Sequence, residues 1–180
     1  MKAITHQRAG LFLGLTTHPL FISDMMTDAN VFSQAFMIGM FALSATVGAL
    51  LADIDMTDSQ MGMFFPGISK FISKTFKHRR ATHSLLTLAI FILALQNSHR
   101  LNIAADFFEL IVLGLMIGHI SHILLDLITP AGIALLYPIK KKVSLGTFKS
   151  DGVGEILLNQ IFLIGNALII VYLIYSIFFT

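Results

Sequence analysis

Three polar residues fall on one face of an apolar segment in the second half of the sequence. Drawn as an α-helix at 100° per residue, the segment places His119, His122 and Asp126 within about 60° of one another. A charged side chain at membrane depth costs about 2.5–3.5 kcal/mol on insertion scales, so its presence calls for a reason. A His-x-x-x-Asp pair can hold a divalent cation, or it can be a hydrogen-bonded pair that joins two helices.

Other His and Asp residues stand at the ends of other apolar segments. Asp53 and Asp55 follow one segment in the string LLADID, His78 and His83 precede another, and His6 precedes the first. Each has a simpler explanation on its own, such as a solvated Asp-x-Asp turn or a histidine within a basic loop. Their common position at segment ends makes a shared site the better interpretation of the set.

Five apolar segments must position these residues, and they cover 9–23, 31–52, 84–96, 107–128 and 156–179. The second, fourth and fifth are long enough to cross a hydrocarbon core of roughly 30 Å at 1.5 Å per residue. The first and third are shorter, so they are recessed, extended by buried polar residues, or cross only in part. Helices are expected throughout, because lipid offers no partner to the edge of a sheet.

The composition excludes an ordinary soluble domain. Of the 180 residues, 56% are hydrophobic and 12% charged, whereas soluble domains carry roughly 25% charged residues. The chain has no cysteine, which excludes disulfides, thiolate metal sites and cysteine nucleophiles. The sequence therefore predicts an all-α, polytopic membrane bundle of about four to five transmembrane helices, with residues 1–180 forming a single domain.

Basic residues predict the orientation of this bundle. Eleven of the 12 Lys and Arg residues lie in residues 1–8, 53–83 and 129–155. If all five segments cross, these three stretches share one side, and the positive-inside rule makes that side cytoplasmic. The N-terminus is then inside, the C-terminus is outside, and every His and Asp named above as a candidate ligand lies at the cytoplasmic end of its segment. Orientation and lipid contact account for the basic residues, so nucleic-acid binding is not expected.

Residues 66–77 predict a helix that lies on the membrane surface. Ile68, Phe71, Ile72, Thr75 and Phe76 fall on one face, and the other carries Lys70, Lys74 and Lys77. A basic amphipathic helix of this kind binds an anionic leaflet.

The converging His and Asp residues predict a metal site near the cytoplasmic interface. A His/Asp set without cysteine suits Zn²⁺, Mn²⁺ or Fe, and several carboxylates allow one of them to bridge two ions. Two ions some 3.5–4 Å apart can activate a water and hold a phosphoryl or acyl oxygen.

The same residues resemble a known family. The strings LLADID at 50–55, KHRRATHSLL at 77–86 and GHISHILLDLITPAGIALLYP at 118–138 are similar to motifs of the YdjM-like, membrane-bound metal-dependent hydrolases of the bacterial inner membrane. The resemblance runs from His6 to about Glu155. Two residues depart from its pattern: Ala52 replaces a proline, and Arg80 replaces a glycine and sets a bulky cation beside the site.

The resemblance implies roles for individual residues. It implies that one or two Zn or Mn ions are bound by seven ligands: His6, Asp53, Asp55, His78, His83, His122 and Asp126. It also implies supporting roles for Thr82, Ser121 and Thr129, loop-shaping roles for Gly132 and Pro138, and a base or a structural cap at Glu155. It assigns no required role to His119.

Together these observations favour a metal-dependent hydrolase acting at the cytoplasmic leaflet on a phosphoester of a lipid or lipid-linked substrate. In this interpretation Asp53 or Asp55 bridges the metals, and Arg79 and Arg80 hold phosphate through bidentate contacts. A divalent-metal transporter or metal-sensing membrane protein is the alternative, although carriers usually hold ions near mid-membrane and often show repeated halves. A third interpretation is a structural membrane protein with buried polar pairs and no metal. The substrate, the metal and the oligomeric state stay open.

Overall fold

A computed structural model of the chain describes residues 1–76, 81–97, 105–146 and 148–179. The helices in chain order are α1 (Ala3–Met26), α2 (Val31–Leu51), a 3₁₀ helix (Ala52–Asp55), α3 (Gln60–Phe64), α4 (Pro66–Thr75), α5 (Leu85–Gln96), α6 (Ala105–Leu127) and α7 (Val153–Phe179). The prediction of an all-helical membrane bundle is confirmed.

Local sequence signals explain where several helices begin. The Asn30 side chain accepts a hydrogen bond from the Ser33 backbone N–H at 2.9 Å, which caps α2. Ser84 caps α5 in the same way through the Leu86 N–H. Pro66 occupies the first position of α4, where its missing N–H costs nothing.

The core of the bundle is formed by α1, α2 and α6, which pack against one another. Its buried apolar side chains include Leu15 and Ile22 from α1, Phe41 from α2 and Leu110 from α6. Since lipid is as apolar as these side chains, close backbone approach contributes much of the association between such helices.

Glycines allow that close approach between α2 and α6. A Cβ atom added at Gly48 would lie 2.1 Å from the Leu115 carbonyl oxygen, and one added at Gly118 would lie 1.8 Å from that of Ala45. Both distances are far inside van der Waals contact. The two helices can therefore adopt this spacing only with glycine at these positions.

Within the described residues, three helical segments are long and apolar enough to cross a membrane: Val31–Asp55, Asp106–Leu127 and Val153–Phe179. The predicted segment at 84–96 forms the 12-residue α5, which extends only about 18 Å and is too short to cross a 30 Å core alone. The predicted segment at 9–23 lies inside the 24-residue α1, which is longer than its apolar stretch.

The remaining segments cover one end of the bundle. The amphipathic segment predicted at 66–77 forms α4, with Lys70 and Lys74 exposed. The loop after α6 folds back on itself, because Ile133 and Val143 exchange two backbone hydrogen bonds of 3.0 and 2.8 Å. Gly132 precedes this bridge with a φ of 57°, a conformation that favours glycine.

We expect Gly48→Ala to lower the thermal stability of the detergent-solubilised protein. Forcing a methyl group against the Leu115 carbonyl costs about 1–3 kcal/mol, the range for overpacking a close-packed interior. Circular dichroism during heating measures the change in Tm. Gly39→Ala is the matched control, because Gly39 lies on the exposed side of the same helix with nothing within 4 Å of an added Cβ. Equal Tm values for the two variants would contradict the close approach of α2 and α6.

Candidate metal centre

Five of the predicted ligand residues meet at the end of the bundle where α1 begins and where α2 and α6 end. His6 lies near the start of α1, and Asp53 lies in the 3₁₀ helix that follows α2. His83 precedes α5 by two residues, while His122 and Asp126 lie in the last two turns of α6. Four separate parts of the chain therefore supply this cluster.

The five residues form two overlapping groups whose candidate ligand atoms lie within 4.8 Å of one another. The first, here called the His6 group, contains His6, His122 and Asp126. The second, here called the His83 group, contains Asp53, His83 and His122. His122 belongs to both groups, so any ion held by either one would contact the same imidazole.

In the His6 group, two imidazole rings stack beside one carboxylate. The rings of His6 and His122 have centroids 3.7 Å apart and planes within 10° of parallel. The His6 Nε2 atom lies 3.5 Å from Asp126 Oδ1, which is also 3.4 Å from the Met1 amino group. All three side chains of the group are buried.

In the His83 group, nitrogen and oxygen atoms face one another at short range. The Nε2 atoms of His83 and His122 are 3.1 Å apart. The Asp53 Oδ1 atom lies 3.4 Å from the first of these nitrogens and 3.7 Å from the second. Asp126 Oδ2 lies 3.6 Å from the His83 Nε2 atom and 3.7 Å from the His122 Nε2 atom.

Hydrogen bonds on the outer side of both rings assign their tautomers. The Nδ1 atom of His122 lies 2.6 Å from the Ala49 backbone oxygen, which can only accept, so this nitrogen carries a proton. Thr82 Oγ1 donates its one proton to Asp55 Oδ2 at 2.9 Å and must accept from His83 Nδ1 at 3.0 Å. Burial lowers the pKa of His83. In both rings the Nε2 atom lies on the opposite side from these bonds and faces the Asp53 and Asp126 carboxylates.

Four candidate ligand atoms thus face one another: the Nε2 atoms of His83 and His122 and one oxygen each of Asp53 and Asp126. Imidazole nitrogens and carboxylate oxygens are the ligands that Zn²⁺ takes where cysteine is absent. Ligands bound tetrahedrally at about 2.0–2.2 Å lie about 3.3–3.6 Å from one another. The five measured separations, 3.1–3.7 Å, lie close to that range. This donor set fits a divalent metal ion.

Asp55 lies outside both groups, although the resemblance implied that it is a ligand. It is buried, and its Oδ2 atom accepts the hydrogen bond from Thr82. Thr129, expected to support the ligands, donates to the Asp126 backbone oxygen at 2.7 Å. Ser121 donates within its own helix to the Gly118 oxygen. Asp55 is thus linked to His83 through the Thr82 hydroxyl, and its ligand role stays a prediction.

Glu155 also lies outside both groups. Its carboxylate accepts hydrogen bonds from the Lys2 and Asp151 backbone N–H groups and from the Thr5 hydroxyl at 3.0 Å. These bonds lower its acceptor capacity for other partners and join the start of α7 to the start of α1, one residue from His6. Glu155 thus connects these two helix starts, and its role as a base or a structural cap stays a prediction.

Three expected site residues, His78, Arg79 and Arg80, lie outside the described residues. Two contributions to the site were missed by sequence reasoning. The Ala49 carbonyl orients His122, and a backbone acceptor leaves no trace in a sequence. Thr5 binds Glu155, and its position one residue before His6 was the only available signal.

We expect Thr82→Val to weaken divalent-metal binding by about 10–100-fold, the usual cost of losing a hydrogen bond that orients a ligand. Valine keeps the shape of threonine but leaves His83 Nδ1 without its acceptor. Isothermal titration of the metal-stripped protein in detergent measures the affinity. Thr46→Val is the control, because Thr46 bonds only within α2 to the Ala42 oxygen. Unchanged affinity in Thr82→Val would show that this hydrogen bond does not orient a ligand.

Comparison with known proteins places the chain in a family. A family model described as YdjM inner membrane protein matches residues 1–180. The chain is 39% identical over 140 residues to YvsG of Bacillus subtilis strain 168. This alignment covers 77% of the chain and 81% of YvsG. It is 42% identical over 101 residues to the inner membrane protein YdjM of Escherichia coli K12, and equally to that of Shigella flexneri. These alignments span 54% of the chain but only 48% of those relatives. No solved structure matches the chain. The chain belongs to the YdjM inner membrane protein family.

Proposed function

We propose that this inner membrane protein is a metal-dependent hydrolase that cleaves a phosphoester of a lipid or lipid-linked substrate at the cytoplasmic leaflet. The observation that carries the proposal is the convergence of the His83 group and Asp126, whose candidate ligand atoms lie 3.1–3.7 Å apart. A divalent ion in this set, Zn or Mn by its ligand chemistry, would polarise a phosphoryl oxygen and make water a stronger nucleophile.

The two groups support a site for one ion or two. Asp126 faces both of them, since its Oδ1 atom points to His6 and its Oδ2 atom to His83 and His122. Asp126 would therefore help to hold an ion at either position, as Asp53 would at the His83 group. His122 and Asp126 would then be the residues on which both positions depend.

Asp53 marks the side from which substrate can approach. Its side chain is 21% exposed, whereas those of His6, His83, His122 and Asp126 are at most 1% exposed. A substrate phosphate and the attacking water would therefore enter past Asp53. The carboxylate would orient that water and accept its proton.

Charge near this entrance favours an anionic lipid substrate. Lys70 and Lys74 are exposed on α4, which packs against the 3₁₀ helix that carries Asp53. Basic side chains at a membrane surface attract anionic headgroups. The same proposal includes phosphate contacts by Arg79 and Arg80 and metal ligation by His78. It also places this end of the bundle on the cytoplasmic side.

We expect the purified protein to contain about one or two equivalents of Zn, Mn or Fe, and His122→Ala to lose them, because both groups share this imidazole. Elemental analysis by mass spectrometry measures the content. His18→Ala is a matched control: His18 is also buried, and its Nδ1 atom bonds to the Leu15 oxygen within α1. If the wild-type protein binds no metal even after reconstitution with metal, the proposal is wrong and the cluster has only a structural role.

We expect Asp53→Asn to lower kcat by about 10²–10³-fold on phosphatidic acid or an isoprenyl phosphate in mixed micelles, the scale for removing one directly acting charged or polar group. Released phosphate measures the rate. The nearby exposed Asp58→Asn is the control and should retain full activity. Metal flux into proteoliposomes without any hydrolysis would favour the transporter instead.

A further inference from the structure

A second feature lies directly beside the metal centre: an apolar cavity of about 330 Å³ between α4, α5, α6 and the 3₁₀ helix. We propose that this cavity, here called the chain cavity, binds the hydrocarbon chain of a phosphorylated lipid whose phosphate lies at the metal centre. The inference rests on the proposed hydrolase function and specifies its substrate as a phosphate attached to a linear hydrocarbon chain.

The walls of the chain cavity are almost entirely hydrocarbon. Ile72 of α4 and Phe76, which follows α4 directly, form one wall; α5 contributes Leu86 and Ile90, and the 3₁₀ helix contributes Ile54. A volume of about 330 Å³ is near the lower end of the range for ligand pockets, roughly 300–1,000 Å³, and suits one slender chain better than a bulky headgroup. An apolar cavity also holds water poorly, so an apolar occupant is favoured.

Two of the lining residues are exposed apolar side chains on the same face of the short helix α5: Leu86 is 46% exposed and Ile90 is 58% exposed. By the proposal, this face contacts lipid tails. A hydrocarbon chain can therefore enter the chain cavity from the bilayer without crossing water.

Thr82 joins the chain cavity to the metal centre. It lines the cavity, and its hydroxyl bonds to Asp55 and to Nδ1 of the group member His83. The cavity wall and the candidate ligands are therefore one hydrogen bond apart. When the phosphate of a lipid lies at the metal centre, one of its hydrocarbon chains can lie in the adjacent chain cavity.

One polar side chain, His119, lies in the apolar wall. Its side chain is fully buried, and its ring packs edge-to-face against that of Phe91 at a centroid distance of 5.6 Å. Among the described residues neither ring nitrogen completes a hydrogen bond, although the Thr82 backbone approaches the ring. A buried unpaired imidazole is costly. An oxygen of a bound lipid, in its ester or near its phosphate, would give this ring a partner.

The lysines of α4 make an anionic lipid the occupant of choice. Ile72 of α4 lines the cavity, while Lys70 and Lys74 of the same helix are exposed. The same element thus offers apolar contact to a chain and positive charge to a headgroup, which is the pattern of membrane-surface helices.

Photocrosslinking tests this inference without relying on turnover. Full-length protein in nanodiscs receives one of two probes, a diacyl phosphatidic acid or an isoprenyl phosphate, each with a diazirine within its chain. After irradiation, mass spectrometry locates the labelled residues. We expect label on the residues that line the chain cavity, and the more strongly labelling probe identifies an acyl or an isoprenoid chain.

Ile90→Trp should abolish the cavity label by filling the opening, and Ile92→Trp should leave it intact. Both residues are partly exposed isoleucines of α5, at 58% and 48%, but only Ile90 lines the cavity. Label confined to other exposed helix faces with both probes, or equal cavity labelling of the two variants, overturns the inference.

The metal and activity measurements separate this inference from the proposed function. If the protein binds metal and hydrolyses lipid but the chain cavity is not labelled, the proposed function stands and the chain-cavity inference is wrong. Cavity label in a protein that binds no metal and hydrolyses neither lipid would keep the lipid site and overturn the hydrolase.

Discussion

The hydrogen bond from His122 Nδ1 to the Ala49 carbonyl oxygen, 2.6 Å long, connects the packing of the bundle with the chemistry of the site. It exists because Gly48 and Gly118 allow α2 and α6 to approach until side chains of one reach the backbone of the other. That bond fixes the imidazole so that Nε2 faces Asp53, His83 and Asp126. A wider helix spacing would release the one ring that both candidate ligand groups share.

Much of the fold could be predicted from the sequence because membrane helices are governed by few constraints. Length and hydropathy are enough to identify α2, α6 and α7, and the 3.6-residue period placed His122 and Asp126 on one face. The short α5 was also evident as a segment of insufficient length. The spacing between helices could not be predicted from the sequence. It depends on which backbone atoms of the neighbouring helix lie against each glycine.

Asp53 and Asp55, both ligands by the resemblance, lie in different surroundings. The structure continues α2 as a 3₁₀ helix with three residues per turn. Side chains two positions apart then diverge by about 120°. One carboxylate therefore joins His83 and His122 while the other bonds to Thr82. The partners of Glu155 could not be predicted either, because two of them are backbone N–H groups, which leave no pattern in the sequence.

The spread of the candidate ligands along the chain has a consequence for biosynthesis. Proteins are made from the N-terminus, and a membrane protein delivers its helices to the bilayer in that order. His6, Asp53 and His83 emerge early, but both groups need His122, which lies near the end of α6. An unfinished chain that stops before α6 holds neither group complete. Any chemistry at this site is therefore withheld until α6, in the second half of the sequence, has been made.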